Sequence, residues 1–146
     1  MADRIGVMHH GLIREIDAPE NLYNFPETRF CAQFLGDMNF LDGRISDGTV
    51  TTAFGSFKLN GKAYPVCTAG IRPERIKIVE QDMPGSFEAV LEERTFSGES
   101  CDWIFNAAGQ RLAVRESAPA KRNIGSTYRL YFEPEFLLSV NSAELD

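Results

Sequence analysis

The chain has 146 residues, 43% hydrophobic and 25% charged, a composition that suits one sizeable globular core with an attached segment. Its 21 acidic against 15 basic side chains give a formal net charge of -6. That disfavours nucleic acid as a partner, because binding phosphates needs clustered Lys and Arg. Cys31, Cys67 and Cys101 are odd in number, far apart and without a CxxC pair, so reduced thiols in a cytosolic protein are expected. No apolar run approaches the roughly 18 residues that span a bilayer, so direct membrane insertion is not expected.

Two short apolar runs, Arg4 to Met8 and Leu12 to Ile16, flank His9-His10-Gly11 and predict a small hairpin. Pro19 suits the first turn of a helix that Pro26 must end early. A second helix is expected from Glu27 through Leu35, with Phe30 and Phe34 as its buried stripe and Gly36 as its stop. From Asn39 the apolar period changes to two. Asp47-Gly48 between Ile45 and the run Thr49 to Phe54 is a strong hairpin signal. Ser56 to Leu59, a turn at Asn60-Gly61 and Ala63 to Cys67 predict another strand, turn and strand, with Pro65 at an edge or end.

Gly70 to Val79 then offers a bend at Pro73 and a strand with Ile76 and Ile78 on one face. A loop from Asp82 to Gly85 follows, then strands Phe87 to Phe96, Cys101 to Phe105, Leu112 to Glu116 and Thr127 to Phe132, with turns at Ser97-Gly98-Glu99, Ala108-Gly109 and a loop through Pro119. A turn about every ten residues indicates a barrel or sandwich.

Few residues carry chemistry. Gly55 to Ala63 imitates a phosphate loop, but its glycines are one residue too far apart and Ala63 lacks the hydroxyl that would hold magnesium. His9 and His10, near Glu15 and Asp17, are zinc-type ligands, yet neighbours on a strand face opposite sides and would not converge on one ion. Glu92-Glu93 alternates across a strand and reads as half solvated. Arg72 and Glu74 stand out, because Pro73 fixes a bend from which both side chains can reach a neighbouring surface or form an internal salt bridge. The aromatic set from Phe54 to Phe132 is expected to be mostly core, with one or two members at a dimer contact.

The order Ala2-Asp3-Arg4-Ile5, Ala18-Pro19-Glu20-Asn21-Leu22-Tyr23, then Phe34-Leu35-Gly36-Asp37-Met38-Asn39-Phe40-Leu41, resembles the end of the nucleotide-binding domain in the ATP-binding subunit of bacterial ABC importers. Gly70-Ile71-Arg72-Pro73-Glu74-Arg75-Ile76 resembles the RPE strand of the TOBE domain that follows it. Phe96-Ser97-Gly98 and Phe132-Glu133-Pro134-Glu135 are similar to two later turns of that domain. The passage from Phe34 to Leu41 is closer to the polyamine, iron, opine and phosphonate branch than to the maltose branch.

The resemblance implies a mainly β chain, an OB-like TOBE barrel over 38–146 preceded by a short hairpin and helix over 1–37 that form the tail of the nucleotide-binding domain. It implies a regulatory and dimerisation role in a subunit that powers solute uptake by ATP hydrolysis. Arg72, Glu74, Phe96 and Glu133 are the candidate interface or regulatory residues. The resembled full-length subunit binds ATP and magnesium, forms a homodimer and works under membrane-spanning permease subunits, in the cytoplasm and peripheral to the inner membrane. The Walker motifs, the ABC signature and the switch histidine are not in this sequence, so no catalysis and no cofactor are expected of this chain alone. A small-ligand sensor, for an oxyanion or the transported solute, is the alternative. The opening segment carries apolar Val7, Ile13, Ile16, Leu22 and Phe30, which are expected to dock on the chain's own barrel or on a second copy.

Overall fold

The computed structural model describes residues 4–117 and 121–143. The sequence markers Ala2, Asp3 and Pro119 lie outside them. The expected opening hairpin is present as β1 (Ile5–His9) and β2 (Leu12–Asp17). His10 and Gly11 at its tip have φ of 53° and 78°, the paired positive values of a turn that matches strand twist. Because His10 sits in this turn and not in a strand, its ring lies 4.1 Å from that of His9, so the expectation that the two face apart is corrected. Among the described residues no group of three His, Cys, Asp or Glu is placed to hold a metal ion.

Helix α1 (Pro19–Asn24) starts at the proline. Helix α2 (Arg29–Phe34) is shorter than the sequence suggests, because the Thr28 side chain accepts from the Cys31 N–H and caps it two residues later than expected. Its buried residues are Cys31 and Ala32, whereas Phe34 is 64% exposed and Phe30 half-buried. The predicted Phe30 and Phe34 stripe therefore holds for Phe30, which packs against the small core of Val7, Leu22 and Cys31, and fails for Phe34. A six-residue helix makes under two turns, too few for periodicity to define a face.

Glu15 folds the hairpin onto this helix. Its carboxylate accepts from the Glu27 N–H at 2.8 Å, the Thr28 N–H at 3.1 Å and the Thr28 hydroxyl at 2.6 Å. Val7, Leu22 and Cys31 form a small core beneath it. The segment docks on its own barrel, with Asn141 N–H donating to Glu27 at 2.8 Å. Val7 and Leu22 are covered, while Ile13 and Ile16 stay exposed with Met8 and Leu12.

The remainder is a curled β half-barrel of OB-like type. Its strands are β3 (Asn39–Leu41), β4 (Arg44–Ser46), β5 (Thr49–Thr52), β6 (Gly55–Lys58), β7 (Cys67–Ile71), β8 (Lys77–Val79), β9 (Phe87–Ser97), β10 (Ser100–Ala107), β11 (Gln110–Glu116), β12 (Thr127–Tyr131) and β13 (Leu138–Asn141). They form three antiparallel sheets in the orders β11-β10-β9-β12-β8, β13-β7-β3 and β4-β5-β6. One core spans all three, with Ile71, Leu91, Phe105, Leu112 and Leu130 fully enclosed and Phe54, Phe57, Phe87 and Phe132 clustered in tilted and edge-on contacts at ring distances of 4.6–6.2 Å.

Three expectations fail here. Asn60-Gly61 is not a hairpin turn, and no strand covers Ala63 to Val66. Instead the Asn60 N–H donates to Leu137 at 2.8 Å and its carbonyl accepts from Ser139 at 2.9 Å, stitching the end of β6 to β13. The Glu92-Glu93 pair does not alternate across β9, because a bulge there puts Ile104 opposite Glu93 and Phe105 opposite Leu91, and both glutamates are exposed. Strand β13, after the turn at Pro134, was not anticipated.

Side-chain amides close the seam between β3 and β11. The Asn39 carboxamide donates to the Ala113 carbonyl at 2.9 Å and accepts from the Ala113 N–H at 2.8 Å. Gln110 does the same with Phe40 O and Asp42 N, at 2.6 and 2.9 Å. Both amides act as a substitute strand, satisfying an edge that would otherwise be open.

Candidate functional site at the junction of segment and barrel

Strand β7 is the central strand of its sheet and ends in fully buried Ile71. The next residue, Arg72, is extended, and Pro73 starts a single 3-10 turn over Pro73–Arg75. This geometry sends the Arg72 side chain inwards, towards the opening segment, where it is 4% exposed.

The Arg72 guanidinium is held by backbone carbonyls. Its Nη1 donates to Ala32 at 2.8 Å, Asp37 at 3.0 Å and Gly36 at 3.1 Å. Its Nη2 and Nε donate to Tyr23 at 3.0 and 3.4 Å. These carbonyls belong to the last turns of α1 and α2 and the residues after them, groups that a helix leaves without partners. One buried cation thus caps two helices at once, at the ends where their dipoles favour positive charge. The guanidinium also lies 4.2 Å from the Tyr23 ring centroid. Burial pulls its pKa below the ordinary arginine value, while Tyr23 and Glu74 oppose that shift. The close approach depends on Gly36: a Cβ there would lie 3.1 Å from the Tyr23 ring and 3.7 Å from Arg72 Nη1.

Glu74 completes the junction by accepting a short hydrogen bond from the Tyr23 hydroxyl. Its other oxygen, Oε1, is buried with no hydrogen-bond partner among the described residues. Burial and the Glu74 bond both push the Tyr23 phenol above its usual pKa. The expected choice for Arg72 and Glu74 was between a neighbouring surface and a mutual salt bridge. Both side chains instead reach the opening segment of the same chain, and they do not pair with each other.

A second tie runs through Asp37. Its carboxylate accepts from Arg115 Nη2 at 2.8 Å, and Arg115 also holds Asp102 through two bonds at 2.8 and 3.0 Å. The Asp102 bond is the main reason that the Arg115 pKa is raised. Tyr23, Gly36, Asp37 and Arg115 are the junction residues that sequence reasoning did not select. Tyr23, Gly36 and Asp37 stand within the importer-like motifs, but their roles at the junction, like that of Arg115, arise through contacts across 35 to 78 positions.

The other two candidates sit elsewhere. Glu133 is exposed and precedes a second 3-10 turn, Pro134–Phe136. That turn meets the first one, because Arg75 lies 4.0 Å over the Phe136 ring. The side-chain bond from Glu133 raises the Glu135 carboxyl. Phe96, 63% exposed, is not brought to the junction. It lies beside the β9–β10 turn with the Arg94 guanidinium 5.5 Å from its ring.

Comparison with known proteins agrees with this architecture. Residues 69–138 match the TOBE domain family, which defines the barrel as a TOBE-type domain. The chain is 33% identical over 139 residues to the Spermidine/putrescine import ATP-binding protein PotA of Clostridium novyi (strain NT), covering 92% of this chain and 39% of that protein. A relative with the same name from Borreliella afzelii (strain PKo) is 29% identical over the same shares, and one from Pseudomonas fluorescens (strain Pf0-1) is 35% identical over 67% of this chain and 30% of its own length. The chain belongs to the ABC importer ATP-binding subunits, as a C-terminal TOBE-bearing portion. It spans about two-fifths or less of the length of these relatives. No helix among the described residues is long and apolar enough to cross a membrane.

Proposed function

We propose that this chain is the regulatory and dimerisation part of an ABC importer ATPase subunit, without an ATP site of its own. Residues 1–37 are the tail of the nucleotide-binding domain and 38–146 the regulatory barrel. The parent subunit binds ATP and magnesium, pairs with a second copy and drives solute uptake through membrane-spanning permease subunits. It works in the cytoplasm, peripheral to the inner membrane, and the relatives' names make a polyamine the first solute to test.

The observation that carries this reading is the Arg72 junction. A buried cation bonded to four carbonyls of the opening segment fixes that segment to the barrel, so neither can turn without the other. A barrel tied in this way reports the position of the nucleotide domain, and a second barrel bound to it keeps two such domains at high effective concentration. Any partner that prefers one arrangement then biases the cycle by its differential affinity.

The test uses the full-length subunit assembled with its permease, comparing native protein with Arg72→Met. Transport is expected to fall while ATP binding, read with a fluorescent nucleotide, is retained. Unchanged transport, or loss of nucleotide binding in step with transport, would refute the coupling role. In parallel, the present chain is expected to show no thermal stabilisation by magnesium-ATP, and a saturable shift would overturn the assignment of the ATP site to the rest of the subunit.

The small-ligand sensor has one observation on its side, an open cleft of about 400 Å³ lined by Glu74, Lys77, Arg115 and Glu116. It ranks second because Arg115 is already bonded to Asp37 and Asp102, and Glu116 to Trp103 and Arg122.

A further inference from the structure

Strand β9 is paired unequally on its two sides. Strand β10 covers it from Val90 to Ser97, whereas β12 covers it only from Phe87 to Val90. The last backbone bonds on the β12 side join Leu91 to Ser126 and Gly125. Beyond the bulge at Glu92, the outer edge from Glu93 to Ser97 has no backbone partner among the described residues. A free edge of this kind is a template for another strand.

The register of the hairpin tells which groups are free. Gly98, with φ of 59°, is the first of two central residues in the turn, so Ser97 and Ser100 close it as a hydrogen-bonded pair. Bonded and non-bonded pairs alternate along an antiparallel ladder. Thr95 is therefore bonded to Asp102, and the N–H and C=O groups of Arg94 and Phe96 point away from β10, into the open edge.

We infer that this edge pairs antiparallel with the same edge of a second copy, about a two-fold axis at Thr95. The inference rests on the self-association proposed above and names its surface. Paired residues share a face, so only registers centred on a residue are allowed. Centring on Glu93 or Arg94 sets like charges against each other, and centring on Phe96 runs the pair into the turn at Gly98. Centring on Thr95 sets Thr95 against Thr95 of the partner subunit and Arg94 against Phe96 of the partner subunit, twice by symmetry. The free N–H and C=O of Arg94 then meet those of Phe96, and the guanidinium, already 5.5 Å from its own Phe96 ring, faces a second one. This gives exposed Phe96 a use that the core does not.

The test is cysteine cross-linking in the present chain. Cys31 and Cys101 are buried, and half-buried Cys67 is replaced by serine to leave one accessible position. In that background Thr95→Cys, Glu93→Cys and Phe96→Cys are oxidised mildly and read on a non-reducing gel, with light scattering on the reduced proteins. Directly opposed, non-bonded residues have Cα atoms about 4.5 Å apart, within disulfide reach, so Thr95→Cys is expected to give about tenfold more covalent dimer than either control. A dimer by scattering in which Thr95→Cys cross-links no better than the controls would overturn this surface and leave the regulatory dimer standing. A monomer at every concentration with no cross-linking would sink both.

Discussion

The guanidinium of Arg72 donates at 2.8 Å to the carbonyl of Ala32, a residue forty positions earlier, and both groups are buried. This bond joins the central strand of one sheet to the end of a six-residue helix that could not persist alone. The short helices of the opening segment therefore owe their order to the barrel, and the cation that orders them is the arginine of the RPE stretch.

Replacing that cation measures its worth. Arg72→Met removes five hydrogen bonds and leaves the buried carbonyl of Ala32 and the part-buried carbonyls of Tyr23, Gly36 and Asp37 without this donor. A loss of about 2–4 kcal/mol in urea unfolding is expected, on the scale of charged hydrogen bonds and unpaired buried groups. Arg72→Lys should recover little of it, because an ammonium cannot reach carbonyls on opposite sides in the plane of a guanidinium. A change within about 0.5 kcal/mol, ordinary for a surface site, would contradict the junction's role.

Tyr23→Phe tests the other half of the junction. Without the hydroxyl, Glu74 loses its bond from Tyr23, and a cost of about 1–2 kcal/mol is expected. The pH dependence is specific. Because the phenol's pKa is raised in the folded protein, by burial first and by Glu74 second, the native state holds this proton longer than the unfolded chain. Stability that is full below the unfolded pKa of about 10 is lost as pH rises through the folded value. The substitution should flatten that alkaline loss in part only, since burial also raises Tyr64. An unchanged alkaline slope, measured by denaturant titration at several pH values, would remove Tyr23 from the account.

Asn39 is the counterpart at the barrel seam. Asn39→Asp exchanges the donor to the Ala113 carbonyl for a carboxylate oxygen, placing charge at a site only 9% exposed. Asn39→Ala is expected to cost about 2 kcal/mol through two unpaired backbone groups, and the aspartate more at neutral pH than in acid. Hydrogen exchange should localise the Asn39→Ala effect to the Ala113 amide and its neighbours on β11. Uniform loosening of all strands would point to the core instead.

The sequence made local events legible and distant ones obscure. Asp47-Gly48 and Ala108-Gly109 specify their hairpins through residues at positive φ, so those turns could be read from two letters each. The alternation of Cys101, Trp103 and Phe105 likewise announces a strand with one buried face. Asn60-Gly61 carries the same hairpin signal as Asp47-Gly48, yet the backbone of Asn60 bonds to Leu137 and Ser139, and tertiary pairing overrides the local preference. Arg72 and Glu74 could be picked out by the proline between them. Their direction could not, because it depends on where α1 and α2 come to rest, which no spacing within residues 70–76 encodes.

Trp103 supplies the last test. It is the only tryptophan, and its indole N–H donates at 2.6 Å to Glu116, which Arg122 also grips at 2.8 and 3.0 Å. Burial pushes the Glu116 carboxyl up, but the bonds from Arg122 and Trp103 outweigh it and leave its pKa below the ordinary glutamate value. A depressed folded pKa means that this group's contribution is present above the unfolded value, near 4.3, and is lost as pH falls through the folded one. Tryptophan fluorescence should therefore change on acidification before global unfolding, as the carboxylate leaves the indole and the Arg122 pair opens. In Glu116→Gln that acid transition is expected to vanish, with the native strands retained by far-ultraviolet circular dichroism. Persistence of the same transition in the glutamine variant would assign it to another carboxylate and break the link between Trp103 and Glu116.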